Sequence, residues 1–370
     1  MDFQLSEEQI LLRDTTRSML SGYDTETRNK VIAADPGYDP ALWKQLAETG
    51  ILSLGFDPTE SGQLEIMVVL TEFGRRLAPE PVIHAALGPG LMIAERGDAE
   101  QRKVLDAVAA GEHLLALAHT EPGMSGGAPA RPATTAVQHG DGWSLSGRKN
   151  PVFSGDRADT LLVSAALPDG GTGLFLLDGH ATGLTVRPYR TYDGRRAAQI
   201  DLADAPAVAL GEPTDASSTI ERGLIRISSA LCAEAVGAME EALRLTTDYL
   251  KTRKQFGVTL NTFQTLTQRA ADMYVSLELA RSMSMYAAMS ISDDNLDPLI
   301  AARAKLQTGR SGRHIAQESI QLHGGIGMTW EYPVGHYAAL LTAFDHTLGS
   351  PQEKLQLLVA NVGDYGLAKL

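Results

Sequence analysis

The feature that most limits what this chain can fold into is a double switch of apolar period along its length. After Asp215, apolar residues recur in alternating steps of four and three: Leu231, Ala235, Ala238, Ala242, Leu245 and Tyr249, then Leu266, Ala270, Met273, Leu277 and Ala280. Each stripe is the buried face of an α-helix. A third helix is predicted from Leu299 to Leu322, stopped by Gly324-Gly325. A last one opens at Ser350-Pro351-Gln352-Glu353, a capping box with proline in the first turn. Long helices with short connections predict a four-helix bundle.

Between about His113 and Ala209 that period is lost. Short β-prone runs replace it: Leu114–Ala118, Thr134–Val137, Trp143–Leu145, Thr160–Ala165, Gly173–Leu177, Leu184–Val186 and Ala198–Leu202. Turn clusters such as His139-Gly140-Asp141-Gly142 divide them, which predicts a small antiparallel barrel or sandwich. The first hundred residues read as helical. Ser6 and Gln9 form a capping box, with Leu5 and Ile10 placed as a hydrophobic staple. Asp39-Pro40 opens a second helix with Trp43, Leu46 and Ala47 on its apolar face, a third spans Leu64 to Leu77, and a short one runs from Asp98 to Gly111.

With 370 residues the chain exceeds what one core usually needs, and its 45 acidic against 32 basic residues leave a net charge of −13. Such a surface repels phosphate backbones and anionic lipid, so nucleic acid and membrane are not expected partners. No apolar run reaches the roughly 18–20 residues of a membrane span, and the amino end lacks the basic-then-apolar order of a signal peptide. Cys232 is alone, so neither an internal disulfide nor a cysteine metal cluster is expected. These features place the chain in the cytoplasm.

Two stretches carry chemistry. In Arg253-Lys254-Gln255-Phe256-Gly257, an arginine near a helix end with a glycine four residues on suits a pyrophosphate. The guanidinium forks onto two oxygens and the glycine admits close backbone. A solvated basic turn of Lys251, Arg253 and Lys254 is the alternative. Gly324-Gly325 after a helix is an ordinary C-cap or a bare backbone surface. His323, with no paired ligand spacing, reads as packing together with Trp330, and no metal site is expected.

Those stretches, with Thr120-Glu121-Pro122-Gly123, Phe263-Gln264 and Trp330-Glu331-Tyr332-Pro333, resemble the acyl-CoA dehydrogenase family in order and spacing over nearly the whole chain. The resemblance implies a mainly α fold with a central β domain: a helical domain over 1–112, a small antiparallel β-barrel over 113–214 and a four-helix bundle over 215–370. It implies FAD as cofactor and α,β-dehydrogenation of an acyl-CoA thioester, in which a carboxylate takes the α-proton. It also implies an electron-transfer flavoprotein as acceptor. Arg253 with Phe256 would reach the flavin nucleotide of a neighbouring subunit. Gln264 would lie in that region, and Gln321, Gly324 and Gly325 would pass the adenosine end. Thr120, Ser125 and Ser154 would stand on the flavin side of the middle domain.

The chain departs from the family where the chemistry is. The usual glutamate falls on Leu348, and the alternative position on the first bundle helix falls on Ile227. Neither takes a proton. Glu221, Glu234 and Asp345 are the acids nearby. Asp345 is the candidate a shifted loop would present, whereas Glu234 belongs to a solvated stripe with Glu241 and Asp248. The serine that normally bonds the cofactor is Gly126, next to Ser125. The tryptophan and threonine beside the flavin ring fall on Pro151 and Phe153, and proline has no backbone donor.

Three expectations follow. The chain is the glutamate-lacking subunit of a bacterial heteromeric acyl-CoA dehydrogenase of the kind that degrades sterol side chains. Alternatively it is a homo-oligomer with an unusual base, or a non-enzyme on the same fold.

Overall fold

The computed structural model describes residues 4–124, 131–140 and 142–364. The helices are α1 (Glu7–Met19), α2 (Thr25–Ala33), α3 (Pro40–Glu48), α4 (Gln63–Arg76), α5 (Gly88–Arg96) and α6 (Val104–Ala109). Then come β1 (Leu115–Ala118), β2 (Thr135–His139), β3 (Gly142–Phe153), β4 (Thr160–Ala166), β5 (Thr172–Asp178), β6 (Leu184–Arg190) and β7 (Arg196–Ala209). After α7 (Ser217–Thr252) a hairpin of β8 (Lys254–Gln255) and β9 (Val258–Thr259) leads into α8 (Gln264–Ser292), α9 (Pro298–His323), α10 (Val334–His346) and α11 (Pro351–Ala360). No described helix is long and apolar enough to cross a membrane. Two compact units result: Met1–Arg28 with Gln63–Ala78 and Ser228–Leu370, and Asn29–Gly62 with Pro79–Ile227.

In the first unit α9 is the hub, packed on α8, α10 and α11. The predicted stripes supply the core: Leu231, Ala235, Ala238 and Ala242 on α7, and Met273, Leu277 and Ala280 on α8, are buried. Ser6 caps α1 by accepting from the Gln9 N–H at 3.2 Å, while the Gln9 side chain accepts from the Ser6 N–H at 3.1 Å. Ser350 and Glu353 cap α11 in the same way. The helix α10 was not anticipated. Its buried residues Val334, Tyr337, Leu340, Leu341 and Phe344 do recur at helical spacing, but half-buried Gly335, Ala338, Ala339 and Ala343 fill the positions between them, so the sequence shows little apolar–polar contrast. A chain of ion pairs, Arg17–Glu72–Arg75–Glu240–Arg281, joins α1, α4, α7 and α8.

In the second unit all seven β runs form strands. β4, β2, β3, β7 and β5 close a ring back onto β4, with β1 on β4 and β6 on β7. The barrel is mixed rather than antiparallel: β1 and β2 both run parallel to β4. Turn clusters in the sequence mark where strands end but not which strands become parallel neighbours, a matter of pairing across the ring. β3 and β7 are much longer than their apolar cores, because outward charges such as Arg148 and Asp201 pair across the strands at 2.5 Å. Trp143, Leu145, Phe175 and Ile200 fill the barrel. Beside it, the Trp43 indole of α3 donates to the Gly111 carbonyl at 3.1 Å.

Candidate functional site

In the first unit the sequence-predicted nucleotide residues lie around the ends of α7 and α9 and the start of α8. α7 ends at Thr252, and the Arg253 N–H donates to the Tyr249 carbonyl at 2.8 Å while the Arg253 carbonyl accepts from Leu260 at 2.9 Å. The backbone is thus fixed at the base of the hairpin. Its side chain is exposed and makes no ion pair among the described residues. Phe256 and Gly257 form the turn with φ of 52° and 86°. Two consecutive positive φ values make the turn that suits Asn-Gly, so Phe256 is held against its preference. Its ring is 92% exposed and meets Phe263 edge-on at 6.3 Å.

Stacking brings the end of α9 beside this hairpin. Tyr249 lies 4.5 Å from the His323 ring, and His323 lies 5.0 Å from Tyr332. His323 is buried, and its Nδ1 lies 2.8 Å from the Ser319 carbonyl oxygen. Gly324 (φ 67°) and Gly325 follow, exposed, and a Cβ on either would meet open space. Gln321 and Gln264 are exposed as well. Trp330, expected to pack, is 67% exposed; its ring meets His336 edge-on at 4.6 Å and its carbonyl oxygen lies 2.8 Å from the His336 Nε2. It follows a short helical turn whose Ile326 and Met328 are also exposed, so no core forms there.

No carboxylate stands at either expected base position. Leu348 sits half-buried with φ 56° in the turn between α10 and α11. Asp345, one turn earlier, is buried: its Oδ2 accepts from the Arg313 Nε at 3.1 Å and from a terminal nitrogen of the same guanidinium. Its Oδ1 would lie 2.5 Å from a Cβ at Gly309, so α9 closes that side. Lys305 donates to the Phe344 carbonyl at 2.5 Å and lies 3.5 Å over the Phe344 ring; burial pushes it down to about 8.

Glu234 corrects the sequence reading, being buried rather than solvated. A stripe stepping by seven drifts around a straight helix, and at its height α4 lies against α7. Only Glu241 and Asp248 of that stripe face out, both bound by Arg244.

The second unit carries the other residues. Thr120 is half-buried after β1, and its carbonyl accepts from the Asn150 N–H at 2.9 Å. Ser154 is buried with φ 58°, its N–H donating to Arg196 at 3.2 Å. Ser125 lies outside the described residues. Ile227 is buried, its Cδ1 within 2.9 Å of where a Cβ on Gly88 would be. Phe153 stacks on His84 with centroids 4.5 Å apart and planes 17° apart. His84 was missed by the sequence reading, since a lone histidine inside Val82-Ile83-His84-Ala85-Ala86 gives no spacing signal. It lies on a π-helical turn, and burial, with Arg195 nearby, holds it neutral, pushed down to about 3.

A free guanidinium beside bare glycine backbone and exposed aromatic rings fits a dinucleotide: the cation and backbone for phosphates, the rings for stacking. No group of three or more His, Cys, Asp or Glu among the described residues is placed to hold a metal.

The family models for the acyl-CoA dehydrogenase N-terminal, middle and C-terminal domains match residues 6–112, 116–204 and 224–351. The chain is 30% identical to the acyl-CoA dehydrogenase FadE28 of Mycobacterium tuberculosis, over 97% of this chain and 98% of that protein. It is 29% identical to the acyl-CoA dehydrogenase IpdE2 of the same organism, over 96% and 98%. Among solved structures, a variant of the Tcur3481-Tcur3483 steroid ACAD superposes with a TM-score of 0.89 at 34% identity, covering 97% of this chain and 98% of that one. With three domain models matched in order along one chain, and relatives matched over nearly its whole length, the protein belongs to the acyl-CoA dehydrogenase family, whose cofactor is FAD.

Proposed function

We propose that this chain is the glutamate-lacking subunit of a heteromeric acyl-CoA dehydrogenase and that it completes the flavin site of a partner chain. One asymmetry carries the reading. Arg253 is exposed with no ion pair among the described residues, near a bare Gly324-Gly325, while both positions for the base are apolar, Leu348 and Ile227. Asp345, the nearest acid in sequence to Leu348, is committed to Arg313, which weighs against a self-sufficient homo-oligomer.

FAD, when held here, would supply the acceptor for the hydride from the substrate's β-carbon, since no side chain can take one. This chain's part is to hold and orient. Arg253 forks onto the pyrophosphate, Gly324 and Gly325 leave room for the adenosine end, and Gln264, Gln321 and Phe256 border it. In its own middle region Thr120 and Ser154 are the polar groups that would face a flavin. There Phe153 is stacked on His84 and Pro151 has no N–H, so the chain's grip on a flavin ring of its own is weak. The α-proton then goes to a carboxylate of the partner, and an electron-transfer flavoprotein takes the electrons. The likeness to a steroid ACAD supports a sterol-type acyl group.

The test is a visible absorption spectrum with flavin counted per polypeptide, for the chain alone and for the chain co-expressed with a glutamate-bearing dehydrogenase encoded beside it. A colourless folded chain that becomes yellow only in the pair is the expected result. Near-stoichiometric flavin on the chain alone overturns the reading in favour of a homo-oligomer.

A further inference from the structure

Inside the barrel, Lys149 is fully buried and every proton on its Nζ has a taker. It donates to Glu121 Oε1 at 2.7 Å, to Ser164 Oγ at 3.1 Å and to the His119 carbonyl at 3.2 Å. Glu121 is equally committed: its Oε2 accepts from the Ala133 N–H at 2.6 Å and its Oε1 from the Thr134 N–H at 3.0 Å. The next residue of β3, Asn150, donates its N–H to Thr120. Thr120 is therefore bracketed. His119 and Glu121 on either side are both bound to Lys149, and its own carbonyl is bound to the following residue.

A buried ion pair of this kind adds little stability over an apolar pair of the same shape, because desolvation of both charges offsets their attraction. β-strand propensity by itself favours an apolar residue at a fully buried position such as 149. A short turn follows at once: the Met124 N–H donates to the Glu121 carbonyl at 3.0 Å, with Gly123 at φ 82°. The carboxylate thus ties the start of that turn to the chain where it re-enters at Ala133 and Thr134.

We infer that the Lys149–Glu121 pair is a positioning device that fixes the Thr120–Met124 turn in the geometry needed to receive a ligand, rather than a stabilising element. Lys149 and Glu121 are positioning residues: they act through Thr120. That the ligand is a flavin rests on the function proposed above; that the turn is held by this pair does not.

Two variants separate positioning from stability. Lys149→Met alone leaves a buried carboxylate without its cation, and a large loss of stability is expected. In Lys149→Met with Glu121→Gln both charges go and urea stability returns toward wild type. Amide hydrogen exchange over 117–124 and 131–136 in the double variant is expected to quicken about tenfold or more, with β5 and α9 unchanged. Flavin per polypeptide in the co-expressed pair is expected to fall in parallel.

Wild-type exchange rates in a stable double variant overturn the inference. Should the double variant not fold, wild-type protein supplies the same test by exchange at pH 7 and 9.5. Burial holds Lys149 down to about 8, and the ionisable groups against it are Glu121 and His119, the latter neutral, so the clamp loosens at the higher pH. Unaltered protection over 117–124 at pH 9.5 overturns the inference equally. If wild type binds no flavin with any partner but the exchange results hold, the proposed function fails and the clamp stands.

Discussion

Gly74 of α4 and Glu234 of α7 meet backbone to backbone: a Cβ on Gly74 would overlap the Glu234 carbonyl oxygen, and one on Gly237 would overlap the carbonyl of Thr71. The two helices touch as closely as chains can, and the contact buries Glu234. Gly74→Ala and Gly237→Ala should each destabilise by about 3 kcal/mol, the upper end of overpacking costs. The double variant should lose less than the sum, since either methyl already separates the same helices. Urea midpoints of the three variants check this.

Phe256 holds a left-handed backbone that asparagine adopts readily, and its ring is almost wholly exposed. Phe256→Asn should therefore stabilise the hairpin by about 1 kcal/mol. Under the proposed function the same change weakens flavin retention by the assembled pair. Thermal melting of the chain and flavin content of the complex moving in opposite directions would mark Phe256 as kept for function. A rise in both would show that its ring has no part in the site.

Arg253→Ala removes a charge-assisted contact to a pyrophosphate without removing any ion pair seen within the described residues. Flavin affinity of the assembled pair should drop about 10- to 100-fold. Stability of the isolated chain should stay within about 0.5 kcal/mol. Unchanged flavin occupancy by absorbance would remove Arg253 from the site.

Lys305 gives a pH signature of its own. Burial lowers it in the folded chain to about 8 from an ordinary 10.5. Between those values the unfolded chain binds more protons, so stability contributed by this group rises with pH. The contribution is complete above about pH 10.5 and is lost as pH falls through about 8. Lys305→Met should flatten that rise in urea titrations from pH 7 to 10.5. It also frees the Phe344 carbonyl at the end of α10, so a lower midpoint at pH 10.5, where wild-type lysine is neutral, reports the lost hydrogen bond separately.

Local signals carried much of the fold. Ser6 with Gln9, Asp39 with Pro40, and Ser350 with Glu353 all cap the helices their spacing announced, because a cap is a contact between near neighbours. What sequence alone did not yield depends on distant partners. The parallel pairing of β1 and β2 with β4 is decided by which strands meet across the ring. α10 gave no clear signal because glycine and alanines stand between its buried residues and blur the contrast of its two faces, and Glu234 took its place from Gly74, some 160 residues earlier in the chain. At the candidate site, the apolar residues at 348 and 227 are read directly from the sequence, whereas the His84–Phe153 stack is not. Nothing in an isolated histidine predicts which ring it will lie against.

Leu348→Glu asks directly whose flavin this chain serves. The new carboxylate would stand at the family's usual position, on a half-buried turn held at φ 56° by Gly349 and the Ser350 cap. If the chain completes a partner's site, the isolated variant stays colourless. In the pair, its turnover per flavin with acyl-CoA matches wild type, because the partner's own carboxylate already removes the α-proton. Anaerobic bleaching of the flavin by acyl-CoA, followed in the visible spectrum, measures this. Turnover that rises well above wild type in the variant would place a flavin against Leu348 itself, and the subunit would then be a dehydrogenase that lost only its base.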